Sequence, residues 1–452
     1  MIQSARTLAT VACLGLLATA LMVHPSFGVD NPDQVHGRQA ATQSNSVPTQ
    51  EAQLSPTKVW DWSIWPGPTY TAPNGRFTAR FLGRLLYDFG YIDDRASVDA
   101  ADGWDSRVRI LRAGLTGTFG KAIRYKFNLS VDSGDFNVQD AYLHYTMPRG
   151  WGVQAGQFRI ASSREALTSL LHVSLVERAS FINAFGLNRA IGIGGGFHGK
   201  NWNAQVGVWN GSNLNDDVSD EKYTLAGRIS FYPKFNFVSG ISLAASFRYR
   251  KFSNNEGLSN VQYRAQPHTH LVDNYYVDTG TLTNVDHDQL IIVEFAGVYG
   301  PWWVAGEWGW LSALAADNGP QFTGGQSKAG FNGGYAEVGW FLTGENRPQS
   351  NGIWSGIKVI RPVFSGGWGA WAIMARIDYI DLVDSDVVIF GGTQTTMIVG
   401  LNWHLTDYTA IKFNFAHATI KQALGASRDN GLVGADGKNT VNSLTTRLQV
   451  FF

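Results

Sequence analysis

The chain has almost no cysteine. Cys13 is the only one in 452 residues, and it lies within an apolar stretch near the start of the chain. Residues 1–28 combine the basic Arg6, that apolar stretch and small residues suited to cleavage, which is typical of a secretory signal peptide, with a single membrane anchor as the alternative. The mature chain would then have no thiol, which excludes a disulfide framework and a cysteine metal site.

The sequence also lacks long hydrophobic runs and an excess of charge. No later stretch reaches the roughly 18 consecutive apolar residues of a membrane-spanning helix. Charged residues make up 16% of the chain, and the 36 basic residues equal the 36 acidic ones. A neutral chain has no strong overall field, so no nucleic-acid partner is expected.

Residues 76–91, RFTARFLGRLLYDFGY, carry the pattern on which the interpretation depends. The even positions include Arg76, Arg80, Arg84 and Asp88, whereas the odd positions are apolar, aromatic or glycine. Strands of soluble proteins span about 5 or 6 residues. A two-faced run of this length therefore indicates a membrane-spanning strand, which needs about 9 to 11 residues at a tilt.

The orientation of this strand follows from the cost of placing charge in lipid. Residues 124–132 repeat the pattern, with Arg124 and Lys126 on the polar face. One Arg or Lys on the lipid face costs about 2 to 4 kcal/mol near the midplane, so turning the bases of both strands outward would cost about 10 to 20 kcal/mol. That is as much as the stability of a typical domain. The charges are therefore predicted to face a wet lumen.

The complete pattern predicts an all-β protein, a transmembrane antiparallel β-barrel of about sixteen strands with long extracellular loops. Residues 71–452 are assigned to the barrel and residues 29–70, rich in polar residues near their start, to a flexible periplasmic segment. Long and short connections alternate, with residues 343–365 as a long exception among the short turns and residues 382–394 predicted as a long loop. Residues 275–277 are left inside a loop. Trp60, Trp62 and Trp65 are expected to anchor the barrel entry at the membrane interface.

Basic residues outnumber acidic ones on the predicted inner face, by roughly two to one. The inward bases are Arg76, Arg80, Arg84, Arg112, Arg124, Lys126, Arg228, Arg248, Arg250, Arg376, Lys412 and Arg447, with Arg107 and Arg109 added if one residue near Ile110 is bulged. The inward acids are Asp88, Asp132, Asp140, Glu294, Glu307, Glu337 and Asp378. Rings of Arg and Lys favour anions. The alternative is that many of these arginines pair with lumenal acids and stabilise the wall.

Other signals for chemistry are weak. The glycine run at residues 192–196 resembles a phosphate-binding loop but lacks the strand, loop and helix context of that motif. A metal could be held by residues of one outer loop, namely His268, His270, Asp286, His287 and Asp288, although a solvated polar loop explains them as well. No Ser, His and acid set has a recognisable spacing. We therefore expect no enzyme activity, no metal and no cofactor.

Several motifs together resemble the phosphate-selective porin O and P family. They are Arg112-Ala113-Gly114-Leu115, Gln139-Asp140-Ala141-Tyr142, Gly156-Gln157-Phe158, Leu167-Thr168-Ser169, Glu177-Arg178, the run from Leu342 to Arg347, Gly369-Ala370-Trp371 and Leu401-Asn402-Trp403. The resemblance implies a sixteen-stranded barrel of the bacterial outer membrane, in contact with its lipid and assembled as a homotrimer. It implies passage of small anions, including phosphate or polyphosphate.

The resemblance also implies that the third loop, residues 159–190, folds inward and narrows the pore. Its candidate constriction residues are Arg159, Arg164, Arg178 and Arg189. The sequence departs from the family in its acidic outer loops, which carry Asp93, Asp94, Asp216, Asp217 and Asp220. General diffusion of small solutes without anion specificity is therefore an alternative function. A plugged barrel with an adhesion or structural role and a barrel hydrolase are the others.

Overall fold

The chain forms an antiparallel sheet of long strands that closes on itself. This computed structural model describes residues 59–94, 102–132, 135–211, 214, 221–236, 238–253, 261–316, 322, 326–422 and 437–452. Residues 1–28, the predicted signal peptide, and residues 29–58 of the predicted flexible segment lie outside the described residues. The outer-loop Asp216, Asp217 and Asp220 and the side chain of Asp132 also lie outside them.

Sixteen long strands make up the barrel in the described part of the chain, as the sequence predicts. They are β1 Phe77–Asp94, β2 Gly103–Phe119, β3 Ile123–Asp132, β4 Asp135–Thr146, β5 Trp151–Arg159, β6 Arg189–His198, β7 Trp202–Asn210, β8 Glu221–Phe231, β9 Ser239–Phe252, β10 Val285–Tyr299, β11 Trp302–Ala315, β12 Lys328–Phe341, β13 Ala370–Asp384, β14 Ile389–His404, β15 Thr409–Lys421 and β16 Lys438–Phe451. Strand β16 pairs with β1, with Arg447 opposite Asp88. This pairing leaves neither terminal strand as an open edge.

Side chains alternate between the two faces of the wall, as a period of two requires. In β1, Phe81, Phe89 and Tyr91 are exposed, whereas Leu86 and Asp88 are buried. Aromatic pairs stack across neighbouring strands at the short-turn end, with Trp302 on Trp340 and Trp371 on Trp403 at ring-centroid distances of 4.8 and 4.9 Å. Such rings are favoured at the membrane interface. No helix in the described ranges is long and apolar enough to cross a membrane.

The register of β2 contains the irregularity that the sequence requires near Ile110. Leu86 lies opposite Ile110 and Tyr87 lies opposite Val108, so Arg109 is the extra residue. The bulge keeps Arg109 on the inner side, where its guanidinium pairs with Glu177 of the third loop. The prediction of a bulge is confirmed.

One connection differs in length from the sequence prediction, and two further segments take defined positions. The loop predicted over residues 382–394 shrinks to residues 385–388, because β13 and β14 continue pairing to Asp384 and Ile389. Residues 277–278 form only a two-residue pair with residues 264–265 and remain outside the barrel sheet. Residues 69–71 of the entry segment pair with the start of β1, and Trp65 stacks on Tyr408 at a centroid distance of 5.1 Å.

The lumen is not wet throughout, which corrects the sequence prediction. Two segments fold into it, namely the third loop and the described residues 261–284 of the fifth loop, between β9 and β10. Their apolar side chains pack on the inner faces of the later strands, mainly β10–β16, in one large hydrophobic cluster. Phe181 lies so close to the wall that a Cβ added at Gly333 would come within 2.8 Å of it. The inner faces of β1 and β3 are mainly polar, whereas those of the later strands mix charged residues with many apolar ones.

Neighbouring positions in β7 allow a direct test of the two faces. Val206 is 67% exposed and shares the outer face with the exposed Val208, whereas Gln205 shares the inner face with the buried Asn203 and Trp209. Val206→Arg should lower the free energy of unfolding in a bilayer by about 2 to 4 kcal/mol, the cost of Arg in the lipid region. Gln205→Arg, the matched control, should change it much less. Urea titration in lipid vesicles measures both, and equal effects would contradict the assignment of faces.

Candidate functional site

The third loop carries two short helices that are buried inside the barrel. Helix α1 spans Arg164–Leu167 and helix α2 spans Ser180–Ala184. The Ser163 hydroxyl caps α1 by accepting a hydrogen bond from the Ala166 amide at 3.1 Å. Such caps satisfy amides that a helix leaves unpaired at its start. The local sequence therefore sets where the helix begins, but not where the loop docks.

Two buried ion-pair clusters attach the third loop to the barrel wall. The Arg376 guanidinium lies 2.5 Å from Glu165 of the loop and 2.6 Å from Glu337 of β12. The Arg447 guanidinium lies 2.6 Å from Asp88 and 2.7 Å from Glu177 of the loop. Each arginine therefore joins a loop carboxylate to a wall carboxylate.

Polar side chains of β14–β16 also bind the backbone of the third loop. The Lys412 ammonium donates to the Val173 carbonyl at 2.8 Å, and the Asn402 amide donates to the Ser174 carbonyl at 2.7 Å. The Asn414 side chain accepts from the Val176 amide at 3.1 Å. These bonds satisfy backbone groups that would otherwise be buried without partners. The loop is therefore fixed on one side of the lumen.

The charge state of the loop fits this arrangement. Burial raises the pKa of Glu177, but Arg109, His270 and Arg447 more than offset it, so its pKa lies well below the ordinary value. Burial, followed by the nearby Lys412, lowers the pKa of His172 to about 3. Glu177 is therefore charged and His172 neutral at physiological pH.

The long turn at residues 342–369 enters the lumen from the opposite end. Its Trp354 ring lies between two guanidiniums, those of Arg164 and Arg347, at 5.0 and 4.8 Å from the ring centroid. Arg228 of β8 donates to the Gly352 carbonyl at 3.2 Å. The turn thus connects the third loop to the early half of the barrel wall.

An open cavity of about 390 Å³ remains between these inserted segments and the inner faces of β1–β8. Its wall includes the basic side chains Arg84, Arg112, Lys126, Arg159, Arg189 and Arg228. Asp140 is the one carboxylate among its described lining residues, and it lies 2.7 Å from Arg189 and 3.1 Å from Lys126. The cavity lining is therefore strongly basic in a chain without net charge.

The bases predicted to line the pore fall into three groups. The first lies in or near the short-turn end of the early strands and consists of Arg76, Arg80 and Arg124. The second lines the cavity and consists of Arg84, Arg112, Lys126 and Arg228. The third is engaged by the inserted loops or by wall acids and consists of Arg109, Arg248, Arg250, Arg376, Lys412 and Arg447. Arg107 pairs with the exposed Asp273 of the fifth loop.

The third group agrees with the alternative that lumenal arginines stabilise the wall. Arg248 and Arg250 both contact Asp288, at 3.2 and 2.5 Å. Arg228 belongs partly to this group, since its guanidinium pairs with Glu294 at 2.7 Å. The positive charge of these arginines is therefore largely neutralised by the carboxylates that they contact.

The four arginines of the third loop that were predicted to form the constriction fall into two pairs. Arg159 and Arg189, at the two ends of the third loop, line the cavity. Arg178 instead donates to the Glu165 and Thr168 carbonyls at 3.0 and 2.8 Å. Arg164 is fully buried beside Trp354. The latter two thus hold the inserted segments together.

Some contributors to the site were missed by sequence reasoning. Glu165 and Glu177 lie in a loop, where strand periodicity gives no orientation. Asn351 and Ile353 of the long turn line the cavity, although only the length of that turn was predicted. Trp209 is also part of the wall, and its position in β7 would have placed it on the inner face.

Two other sequence signals are resolved by the structure. The glycine run at residues 192–196 lies within strand β6, without the helix that a phosphate-binding loop needs. His268 and His270 contact Asp378 and Glu177, whereas Asp286 contacts His287 and Asp288 contacts arginines. Across the described ranges, no three or more His, Cys, Asp or Glu residues gather as a metal site.

The sequence of the barrel matches a known family over nearly its full length. A model of the phosphate-selective porin O and P family matches residues 80–452. The chain belongs to this family. It is therefore an outer-membrane porin, located in the bacterial outer membrane. The resemblance found in the sequence motifs is confirmed.

This porin is similar to other proteins in sequence and in structure. An uncharacterized protein of Caulobacter vibrioides is 30% identical over an alignment of 383 positions that covers 82% of this chain and 73% of that protein. Solved structures share the fold. An anion-selective porin from Comamonas acidovorans has a TM-score of 0.50 at 14% identity, covering 82% of this chain and 99% of its own. OmpT of Vibrio cholerae has a TM-score of 0.50 at 9% identity, covering 83% of this chain and 98% of its own.

Removing Glu177 should loosen the third loop of the porin. Glu177→Ala leaves Arg447 and Arg109 without this partner, and breaking a buried pair costs about 3 to 5 kcal/mol. We expect noisier single-channel currents and a lower urea midpoint. Asp273→Ala is the control, because an exposed ion pair contributes only about 0 to 1 kcal/mol. Unchanged currents and midpoint in Glu177→Ala would contradict the anchoring role.

The same anchor should persist in mild acid. Because the folded-state pKa of Glu177 lies well below its ordinary value of 4.5, its stabilising effect is present above that value and is lost only as the pH falls through the folded pKa. Burial, followed by Arg109, also lowers the pKa of His270 beside it. Open-channel noise of the unsubstituted porin should therefore stay constant from about pH 7 to pH 5. A transition to noisy currents within that range would count against this account.

Proposed function

We propose that this porin is a passive channel that prefers small anions, including phosphate-like anions, and that it has no catalytic residues. The observation that carries the proposal is the cavity lining, in which six basic side chains accompany a single carboxylate among the described residues, although one of the six, Arg228, is paired with Glu294 behind the lining. Rings of Arg and Lys favour anions in pores. The guanidinium fork also matches the geometry of phosphate and carboxylate.

The position of the early-strand bases supports a path through the barrel. Arg76, Arg80 and Arg84 are four residues apart on or just before β1, which corresponds to steps of about 13 Å along a strand. They lead from the short-turn end to the cavity. Arg84 makes no ion pair with a described residue, so its charge is available to a passing ion. An anion would therefore meet successive positive charges along one wall.

The assembly of the porin also belongs to this proposal. The family resemblance favours a homotrimer surrounded by outer-membrane lipid. Each protomer would then carry its own cavity, because the wall and the inserted loops come from one chain. The three protomers are therefore expected to conduct independently. Insertion of one trimer into a bilayer should then give three equal conductance steps.

A plugged barrel is the second candidate, and a specific observation favours it. The third and fifth loops fill one side of the lumen with apolar side chains. A barrel closed in this way could serve adhesion or a structural role. Reconstituted protein without any single-channel conductance would support that function and would remove the channel proposal.

Arg84→Glu tests the anion preference directly. Ions about 4 Å from a unit charge in water interact by about 1 kcal/mol, so reversing this charge should lower the chloride-to-potassium permeability ratio by about fivefold or more. The ratio is measured as a reversal potential across a KCl gradient in a planar bilayer. Lys328→Glu, at an exposed end of β12, is the matched control and should leave it unchanged. A porin that prefers cations, or an Arg84→Glu variant with an unaltered ratio, would refute the proposal.

A further inference from the structure

The cavity has two walls of different chemistry. One wall is basic and consists of Arg84, Arg112 and Lys126 from β1–β3 and of Arg159 and Arg189 at the ends of the third loop, with Arg228 of β8 as a further lining base. The other is aromatic and consists of Tyr142, Phe158 and Trp209 from β4, β5 and β7. An inorganic anion would use only the first wall.

We propose that the cavity is a binding subsite for organic anions with a flat apolar group, of the aryl phosphate or aryl carboxylate class. This inference rests on the proposed anion permeability and adds the substrate class. The aromatic wall would hold the ring, and the basic wall would hold the charged group.

The aromatic wall is a continuous surface. The ring centroids of Tyr142 and Phe158 are 6.3 Å apart, and those of Phe158 and Trp209 are 5.4 Å apart. Both pairs are tilted or edge-on, with interplanar angles of 71° and 57°. Aromatic rings prefer these arrangements to a face-to-face sandwich. A further ring could join the same surface in an edge or offset geometry.

Glycines allow the largest of these rings to lie close to the barrel wall. A Cβ at Gly192 or Gly207 would come within 2.6 Å of the Trp209 indole, so only residues without a side chain fit there. Gly194 and Gly196 continue the lining next to it. The Trp209 ring is therefore packed flat against the wall at 1% exposure, and it supports Phe158 and Tyr142 from behind. This gives the glycine run of β6 a role that its resemblance to a phosphate loop did not.

The inserted segments extend the apolar surface. Ala161 and Leu167 of the third loop and Ile353 of the long turn also line the cavity. Strands β4, β5 and β7, the third loop and the long turn thus all contribute apolar side chains to the cavity lining. Ligand sites for small organic molecules combine an apolar lining with a few placed polar groups.

The basic wall provides the groups for the charged end of such a ligand. Arg84 has no carboxylate partner among the described residues. The Arg159 guanidinium has one hydrogen bond, to the Thr168 carbonyl at 3.0 Å, and no carboxylate within contact distance in the described chain. Arginine can bind phosphate or carboxylate through two parallel hydrogen bonds. The guanidiniums of Arg84 and Arg159 are therefore enough to bind one phosphate or carboxylate group.

The volume also fits an organic ligand. The cavity measures about 390 Å³, and sites for small organic molecules span about 300 to 1,000 Å³. An inorganic phosphate would leave most of this space to water. An aryl phosphate would place its ring against Tyr142 and Phe158 while its phosphate reached the arginines.

Block of chloride current tests this inference. Phenyl phosphate, inorganic phosphate and neutral benzyl alcohol are added in turn to the reconstituted porin in a planar bilayer. We expect phenyl phosphate to reach half-block at a concentration about tenfold or more below that of inorganic phosphate, which corresponds to about 1.4 kcal/mol. Benzyl alcohol should not block. Equal half-block concentrations for the two phosphates, or block by benzyl alcohol, would overturn the inference.

Variants separate the two walls. Tyr142→Ser should raise the half-block concentration of phenyl phosphate to about that of inorganic phosphate. The half-block concentration of inorganic phosphate should not change. Phe158→Leu should also bring the half-block concentration of phenyl phosphate close to that of inorganic phosphate, and it serves as a second variant if the first folds poorly. Trp302→Leu, on the outer face, is the matched control and should retain the difference in half-block concentration between phenyl phosphate and inorganic phosphate. Retention of the full difference in both aromatic-wall variants would also overturn the inference.

The failure of this inference differs from the failure of the proposed function. Loss of anion preference in the reversal potential would refute the function itself. A porin that prefers chloride over potassium but does not distinguish phenyl phosphate from phosphate would refute only the substrate class.

Discussion

The exclusion of charge and unpaired backbone from lipid is the constraint on which the rest of this structure depends. It requires every strand to pair with two neighbours, so the last strand must return to the first. It also requires each strand to place its charged residues on the inner face. The barrel is therefore lined by charges that need partners, and the inserted loops supply many of them.

The inward-facing charges have different partners on the two sides of the lumen. On the side of the later strands, Arg376 and Arg447 each bridge a wall acid and a loop acid, and apolar residues of the third and fifth loops fill the space around them. On the side of the early strands, arginines face an open cavity. The same residue type thus stabilises the inserted loops on one side and lines the open cavity on the other.

Much of the fold could be predicted from the sequence because strand periodicity has a direct physical cause. Alternation in β1 gave the faces, and the conflict near Ile110 gave the bulge at Arg109. The length of the turn at 385–388 was overestimated, since polar residues near strand ends resemble loop residues. Which arginines pair could not be predicted, because Glu165 and Glu177 belong to a loop whose docking depends on tertiary contacts.

We expect the open path for solutes to run along the basic, early-strand side of the lumen. The only cysteine lies at position 13, so single cysteines can be introduced at Gln205 in the cavity and at the buried Thr396 on the filled side. Thiol-reactive reagents of matched size and opposite charge are then applied to the reconstituted channel. The account predicts that Gln205→Cys reacts faster with the anionic reagent and that Thr396→Cys does not react. Faster reaction of Gln205→Cys with the cationic reagent, or ready modification of Thr396→Cys, would contradict it.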